Sequence, residues 1–117
     1  MKKLLLALVL FLSIVTVAQA QPSRSDAATS SGLLSADASV ITGFGQLEGA
    51  VCQTDGTNNT TVVLYDHASG ATGTELYKMT VPYYNYFGGA IFTTPIRFKL
   101  GIYMDITNGS CIIYYRK

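Results

Sequence analysis

The stretch QLEGAVCQTDGTNNTTVVLYD, residues 46–66, sets two runs of strand-forming residues on either side of a polar segment. Residues 46–53 alternate, with Leu47, Gly49 and Val51 on one side and Gln46, Glu48 and Ala50 on the other. A period of two is the signature of a half-buried strand. The segment Thr54, Asp55, Gly56, Thr57, Asn58, Asn59, Thr60 consists of residues that bond their own backbone or tolerate positive φ, which makes it a turn. Residues 61–66 are β-branched and short, and read as the returning strand.

The same alternation runs to the C-terminus. After the Gly/Ser/Thr loop HASGATGT (67–74), the run ELYKMTVP (75–82) places Tyr77, Met79 and Val81 on the expected core face, with Lys78 and Thr80 turned to water. Pro82 has no N–H to donate and confines that strand to an edge or an end. Gly88-Gly89 is expected to restart the chain into a strand over 90–94, and Pro95 to open the next, with Ile96 and Phe98 opposed to Arg97 and Lys99. Gly101 permits a reversal, after which Ile102, Met104 and Ile106 oppose Tyr103 and Asp105. Asn108-Gly109 is a hairpin signal, and residues 111–117 form the last strand. Upstream, Val40-Ile41 starts a strand that Gly43 and Gly45 bend or end. Seven or eight short strands with no helical period predict an all-β, antiparallel β-sandwich of jelly-roll or Ig-like type, because a single sheet would leave one face bare. A small closed β-barrel is the alternative.

The N-terminus carries a different signal. Lys2 and Lys3 precede an apolar run over 4–17, interrupted only by Ser13 and Thr16, and Ala18-Gln19-Ala20 closes it as a small-x-small cleavage site. The run is shorter than the roughly 20 residues that span a bilayer, so a cleaved signal peptide over 1–20 is expected and a stable membrane anchor is not. Residues 21–38 are rich in Ser, Ala, Thr and Asp, with only Leu33 and Leu34 large and apolar, and are expected to form a flexible polar arm. That arm is either a simple linker or a segment docking on a neighbouring subunit through Leu33-Leu34. The folded domain is then 39–117, in a secreted or periplasmic protein.

Loss of Lys2 and Lys3 leaves six basic residues against seven acidic ones, a net charge of −1. No overall basic field exists for a phosphate backbone, so no nucleic-acid partner is expected. Two cysteines, Cys52 and Cys111, remain in the mature chain, and an even count in an oxidising compartment favours a disulfide. Strand parity argues against it: Cys52 shares a face with Glu48, whereas Cys111 shares one with Ile113, unless a bulge at Gly49 shifts the phase. Two reduced cysteines packed as small core residues are the alternative.

No constellation in the sequence carries a reaction. His67 is the lone histidine, and a general base needs an oriented partner and a nucleophile. Zinc needs three or four N/S ligands, which one His and two Cys do not supply. Asp55, Asn58 and Asn59, with Asp66 or Asp105 in reach, lack the regular spacing of calcium loops and read as turn caps. Neither catalytic residues, nor a metal, nor a cofactor is expected. The informative excess is tyrosine: YYNYF, residues 83–87, places Tyr83, Tyr84, Tyr86 and Phe87 within five positions. Adjacent strand residues face opposite ways, so at least one or two of these rings must lie at the surface or in an interface. Tyr114-Tyr115 makes a weaker case of the same kind.

TDGTNNTTVVLYD (54–66), YFGGAIFTTPIRFKLGIYMDIT (86–107) and SCIIYYRK (110–117) together resemble small β-sandwich proteins encoded among tailed-phage structural genes. The resemblance covers 43–117 and implies a virion-associated, non-enzymatic role with no catalytic residues. Here an export signal and a polar arm precede the domain, which points to its use outside a cell. The resulting expectation is an exported structural subunit that self-associates as a homo-oligomer into a coat or filament. The alternative is a secreted module recognising a glycan or a host protein through its surface tyrosines.

Overall fold

The computed structural model describes residues 28–117, so the signal-peptide reading of 1–20 and the start of the arm lie outside the described residues. Eight strands follow one another: β1 (Thr29–Leu34), β2 (Ala38–Thr42), β3 (Gly45–Thr54), β4 (Thr60–Asp66), β5 (Thr74–Val81), β6 (Phe87–Phe98), β7 (Gly101–Thr107) and β8 (Gly109–Arg116). They form two antiparallel four-stranded sheets, β1-β8-β3-β6 and β2-β7-β4-β5. No ladder joins the sheets among the described residues, so the architecture is a sandwich and not the alternative closed barrel.

The pairing has a simple rule. Strand 1 pairs with 8, 2 with 7, 3 with 6 and 4 with 5, and successive strands alternate between sheets except at β4-β5. This is a long hairpin, folded at the 67–73 loop and wound around itself, which is jelly-roll topology. One end of the sandwich therefore carries the β1–β2, β3–β4, β5–β6 and β7–β8 connections. The opposite end carries β2–β3, β4–β5, β6–β7 and the close of β8.

The core lies between the sheets. Leu47, Ala50, Cys52, Phe98, Cys111 and Ile113 from one sheet meet Val62, Leu64, Val81, Ile102 and Met104 from the other. The expected core faces hold on β5, where Val81 is buried, Tyr77 and Met79 pack against the core, and Lys78 and Thr80 are exposed. They hold equally on β7. Thr60 is a buried polar residue, and its hydroxyl donates to the Asn108 carbonyl at 2.5 Å, tying the β3–β4 and β7–β8 turns together.

Strict alternation fails on β3. Both of its ladders shift between Leu47 and Gly49, leaving Glu48 as an extra residue. The bulge reverses the phase: Leu47, Ala50 and Cys52 point inward and Val51 points out. Gly49 fits here because a Cβ would stand only 2.5 Å from the Ala90 carbonyl oxygen. The parity conflict between the cysteines is thereby removed. Cys52 and Cys111 are direct cross-strand partners with Cα atoms 4.1 Å apart, and they form a buried disulfide.

Two other expectations are corrected. The segment from Gly88 to Phe98 is one strand and not two, with Gly88 and Gly89 inside it. A Cβ on Gly88 would meet Val81 of the facing sheet at 2.8 Å, and one on Gly89 the Ala50 carbonyl oxygen at 2.5 Å, so these glycines allow close approach instead of a break. Opposite Glu48, residues 92–95 leave the ladder; Pro95 is tolerated there because β6 is a sheet edge. Phe92 turns to meet Tyr77 of β5 edge-on, with ring centroids 5.0 Å apart.

The second correction concerns the arm. Residues 29–34, read as part of a flexible segment, form β1 and pair with β8. Burial contributes little to this; the backbone ladder carries it, helped by the Ser31 hydroxyl, which accepts from the Ile113 N–H at 2.9 Å where β1 bulges. Composition counts side-chain burial and misses a strand whose partner edge is already waiting.

Candidate interaction surface

Pro82 ends β5, and a short 3-10 turn over Tyr83–Asn85 leads through Tyr86 into β6. The turn is bracketed by the polar β3–β4 loop. The Asn59 side-chain oxygen accepts from the Tyr83 N–H at 3.1 Å, and the Thr54 N–H donates to the Tyr86 carbonyl at 2.8 Å. That loop is itself held by Asp55, whose carboxylate accepts from the Asn58 N–H at 2.7 Å and the Thr57 N–H at 2.8 Å. Bonds from the Asn58 amide, then Thr57, then the Asn58 side chain hold the Asp55 carboxyl below its usual range. The TDGTNN segment is thus a cap and a bracket.

What the bracket presents is aromatic. Tyr83, Tyr84, Tyr86 and Phe87 are 49, 66, 59 and 66 % exposed, so all four rings lie at the surface where at least one or two were expected. Tyr83 and Tyr84 meet edge-to-face with centroids 5.4 Å apart. Tyr86 sits at φ +61°, ψ −43°, close to the rare γ-turn conformation that a bulky L-residue adopts only at a cost.

The aromatic turn continues into an apolar sheet face. The register aligns Leu33 (β1), Ile112 (β8), Val51 (β3) and Gly89 (β6) in one row across the sheet. Residues directly opposite share a face, and Phe87 and Ile91 flank Gly89 on the same side of β6. This row points away from the core, with Leu33 56 % and Ile91 66 % exposed. Leu34, expected to act together with Leu33, faces the opposite way: it pairs with buried Cys111 and packs against the core. Sequence reasoning missed Val51 and Ile91. The signal that could have found Val51 was Gly49, the place where a bulge would reverse the face of every residue after it.

The remaining chemical candidates hold loops. His67 Nδ1 accepts from the N–H groups of Ser69 at 3.1 Å and Gly70 at 2.9 Å, so the ring holds the β4–β5 loop. Asp66 accepts from the Leu100 N–H at 2.7 Å and the Lys99 N–H at 3.0 Å, closing the β6–β7 turn. Partial burial pushes the Asp66 carboxyl up, but the amides of Leu100, Lys99 and Gly101 and the Lys99 charge outweigh it and hold the group below its usual range. Among the described residues no three His, Cys, Asp or Glu side chains gather as a metal site, and no helix is long and apolar enough to cross a membrane. Comparison with known proteins finds no matching family model, no matching curated protein and no matching solved structure.

Proposed function

We propose that the chain is an exported, non-enzymatic structural subunit that self-associates into a coat or filament. The observation that carries this reading is the outward apolar row Leu33–Ile112–Val51–Gly89 with Phe87 and Ile91, continuous with the tyrosine turn. An exposed apolar patch rimmed by polar residues marks an association surface. The resemblance to tailed-phage β-sandwich proteins supports the same role. The buried Cys52–Cys111 disulfide is compatible with an extracellular or periplasmic protein, in line with the export signal over 1–20.

Light scattering after size exclusion, followed by negative-stain microscopy, tests the reading. The purified chain is expected to form defined oligomers or filaments, and Ile91→Glu or Phe87→Glu to leave folded monomers. A chain that stays strictly monomeric at high concentration refutes it. A second reading is favoured by one observation, the exposed Tyr83–Tyr84 pair: a secreted module that stacks these rings on a glycan or grips a host protein. Glycan-array binding that disappears in Tyr84→Ala would select it.

A further inference from the structure

The end of the sandwich opposite the tyrosine turn gathers charge of one sign. Mature residues include six cations, and four of them, Arg97, Lys99, Arg116 and Lys117, line a single groove of about 510 Å3. The register shows how they meet. Gln46 of β3 stands directly between Arg97 of β6 and Arg116 of β8, so two guanidinium stems share one sheet face with one residue between them. Strands lie about 4.8 Å apart, which sets those backbones roughly 10 Å from each other, comparable with the screening length in physiological salt. Gly45 makes the close approach possible, since a Cβ there would overlap the Arg116 carbonyl oxygen at 2.5 Å and the Phe98 ring.

Among the described residues, Arg97, Lys99 and Lys117 are only partly answered by opposite charge. Arg116 meets Glu48 at 3.1 Å, a pairing of charges rather than a directed hydrogen bond. Lys99 lies in the field of Asp66, whose oxygens are taken up by backbone amides. Among the described residues, Arg97 and Lys117 make no ion pair within 4 Å. Gathering cations in this way opposes folding in a chain whose mature net charge is negative. Beside them stands Phe44, 76 % exposed, on the β2–β3 connection that the Gly43 N–H fastens to the Leu100 carbonyl at 2.9 Å.

We infer that this groove is a binding site for an acidic oligosaccharide, with Arg97 and Lys117 meeting its carboxylate or sulfate groups and Phe44 packing on a sugar-ring face. Phe44 supplies an apolar plate for ring C–H groups, and the Gln46 amide offers a donor and an acceptor for hydroxyls. The volume suits a few sugar units and exceeds what a simple inorganic anion fills. Four cations at one end of a net-negative chain are too few and too local to track a nucleic-acid backbone. The site lies at the opposite end of the sandwich from the tyrosine turn, on the same outward sheet face as the apolar row but lined by none of its residues, so substitutions in the groove leave the row itself intact.

Calorimetric titration of the purified chain with tetragalacturonate, in about 50 mM and again in about 200 mM salt, tests this. Saturable binding that weakens with salt is expected. It should weaken about tenfold further in Arg97→Gln/Lys117→Gln and about fivefold in Phe44→Ala. These side chains are exposed and the cations repel one another, so the variants should melt no lower than the parent. Equal binding of neutral maltotetraose, equal affinity for sulfate alone, or tighter binding of short duplex DNA would each overturn the assignment. So would tetragalacturonate binding that survives the double substitution, or no binding at all.

Discussion

The Cys52–Cys111 disulfide offers a perturbation whose size follows from its place in the chain. The two residues are 59 apart in sequence, and they fasten β3 to β8 at the centre of one sheet. In the unfolded chain the bridge closes a loop of about 60 residues, and removing it returns roughly 4 kcal/mol of chain entropy to the unfolded state. A domain of this size has a total stability of about 5–10 kcal/mol, so the bridge accounts for a large share of it. With an m-value near 1.5 kcal/mol/M, the urea midpoint should fall by roughly 3 M when the bridge is cut. The thermal midpoint should fall by about 20 °C. The measurement is a pair of equilibrium urea titrations followed by far-UV circular dichroism, one with reductant and thiol quantitation and one without. A Cys52→Ala/Cys111→Ala variant serves as the permanent open form and should lose slightly more, because both side chains are fully buried and leave space behind. If thiol counting shows complete reduction yet the midpoint moves by less than about 0.5 M, the loop-closure argument is wrong for this chain.

Asp66 and Tyr86 give two further expectations. The Asp66 carboxyl is held below its usual range, so its contribution to stability is complete above the unfolded value near 3.9 and is lost as the pH falls through the lower folded value. Asp66→Asn should therefore flatten the acid end of the stability–pH curve and cost about 1 kcal/mol at neutral pH, the difference between charged and neutral acceptors. An unchanged acid slope would show that the amides of Lys99 and Leu100 do not depend on its charge. Tyr86→Gly relieves a positive-φ residue worth about 1–3 kcal/mol and forfeits roughly 0.5–1 kcal/mol in unfolded-chain entropy. A net gain of about 1 kcal/mol in denaturant stability, accompanied by weaker self-association, is expected; a loss of stability would mean that the ring packing outweighs the strain.

Much of the architecture is legible in the residues themselves. Alternation on β5 and β7, the Asp55 turn and the Asn108-Gly109 hairpin are local patterns. Period two needs only neighbours to decide which side chain goes in, and Asp55 needs only Thr57 and Asn58. Asn108 adopts the positive φ that its turn requires. The tyrosine cluster was legible only in part: strand alternation called for one or two exposed rings, and it is the 3-10 turn over Tyr83–Asn85 that leaves all four outside.

Register and pairing were not legible, because they belong to contacts distant in sequence. One extra residue at Glu48 turns Ala50 and Cys52 inward and Val51 outward, and a one-residue slip reverses every later side chain on a strand. That slip brings Cys52 onto Cys111 and sets Val51 in line with Leu33, Ile112 and Gly89. The pairing of residues 29–34 with β8, and the gathering of Arg97, Arg116 and Lys117 at one end, likewise exist only once the hairpin has been wound. The sequence by itself determined an all-β chain with its turns and its surplus of surface aromatics. The tertiary structure alone decided which side chains stand together, because face and neighbour on a sheet are set by register, and register is a non-local property.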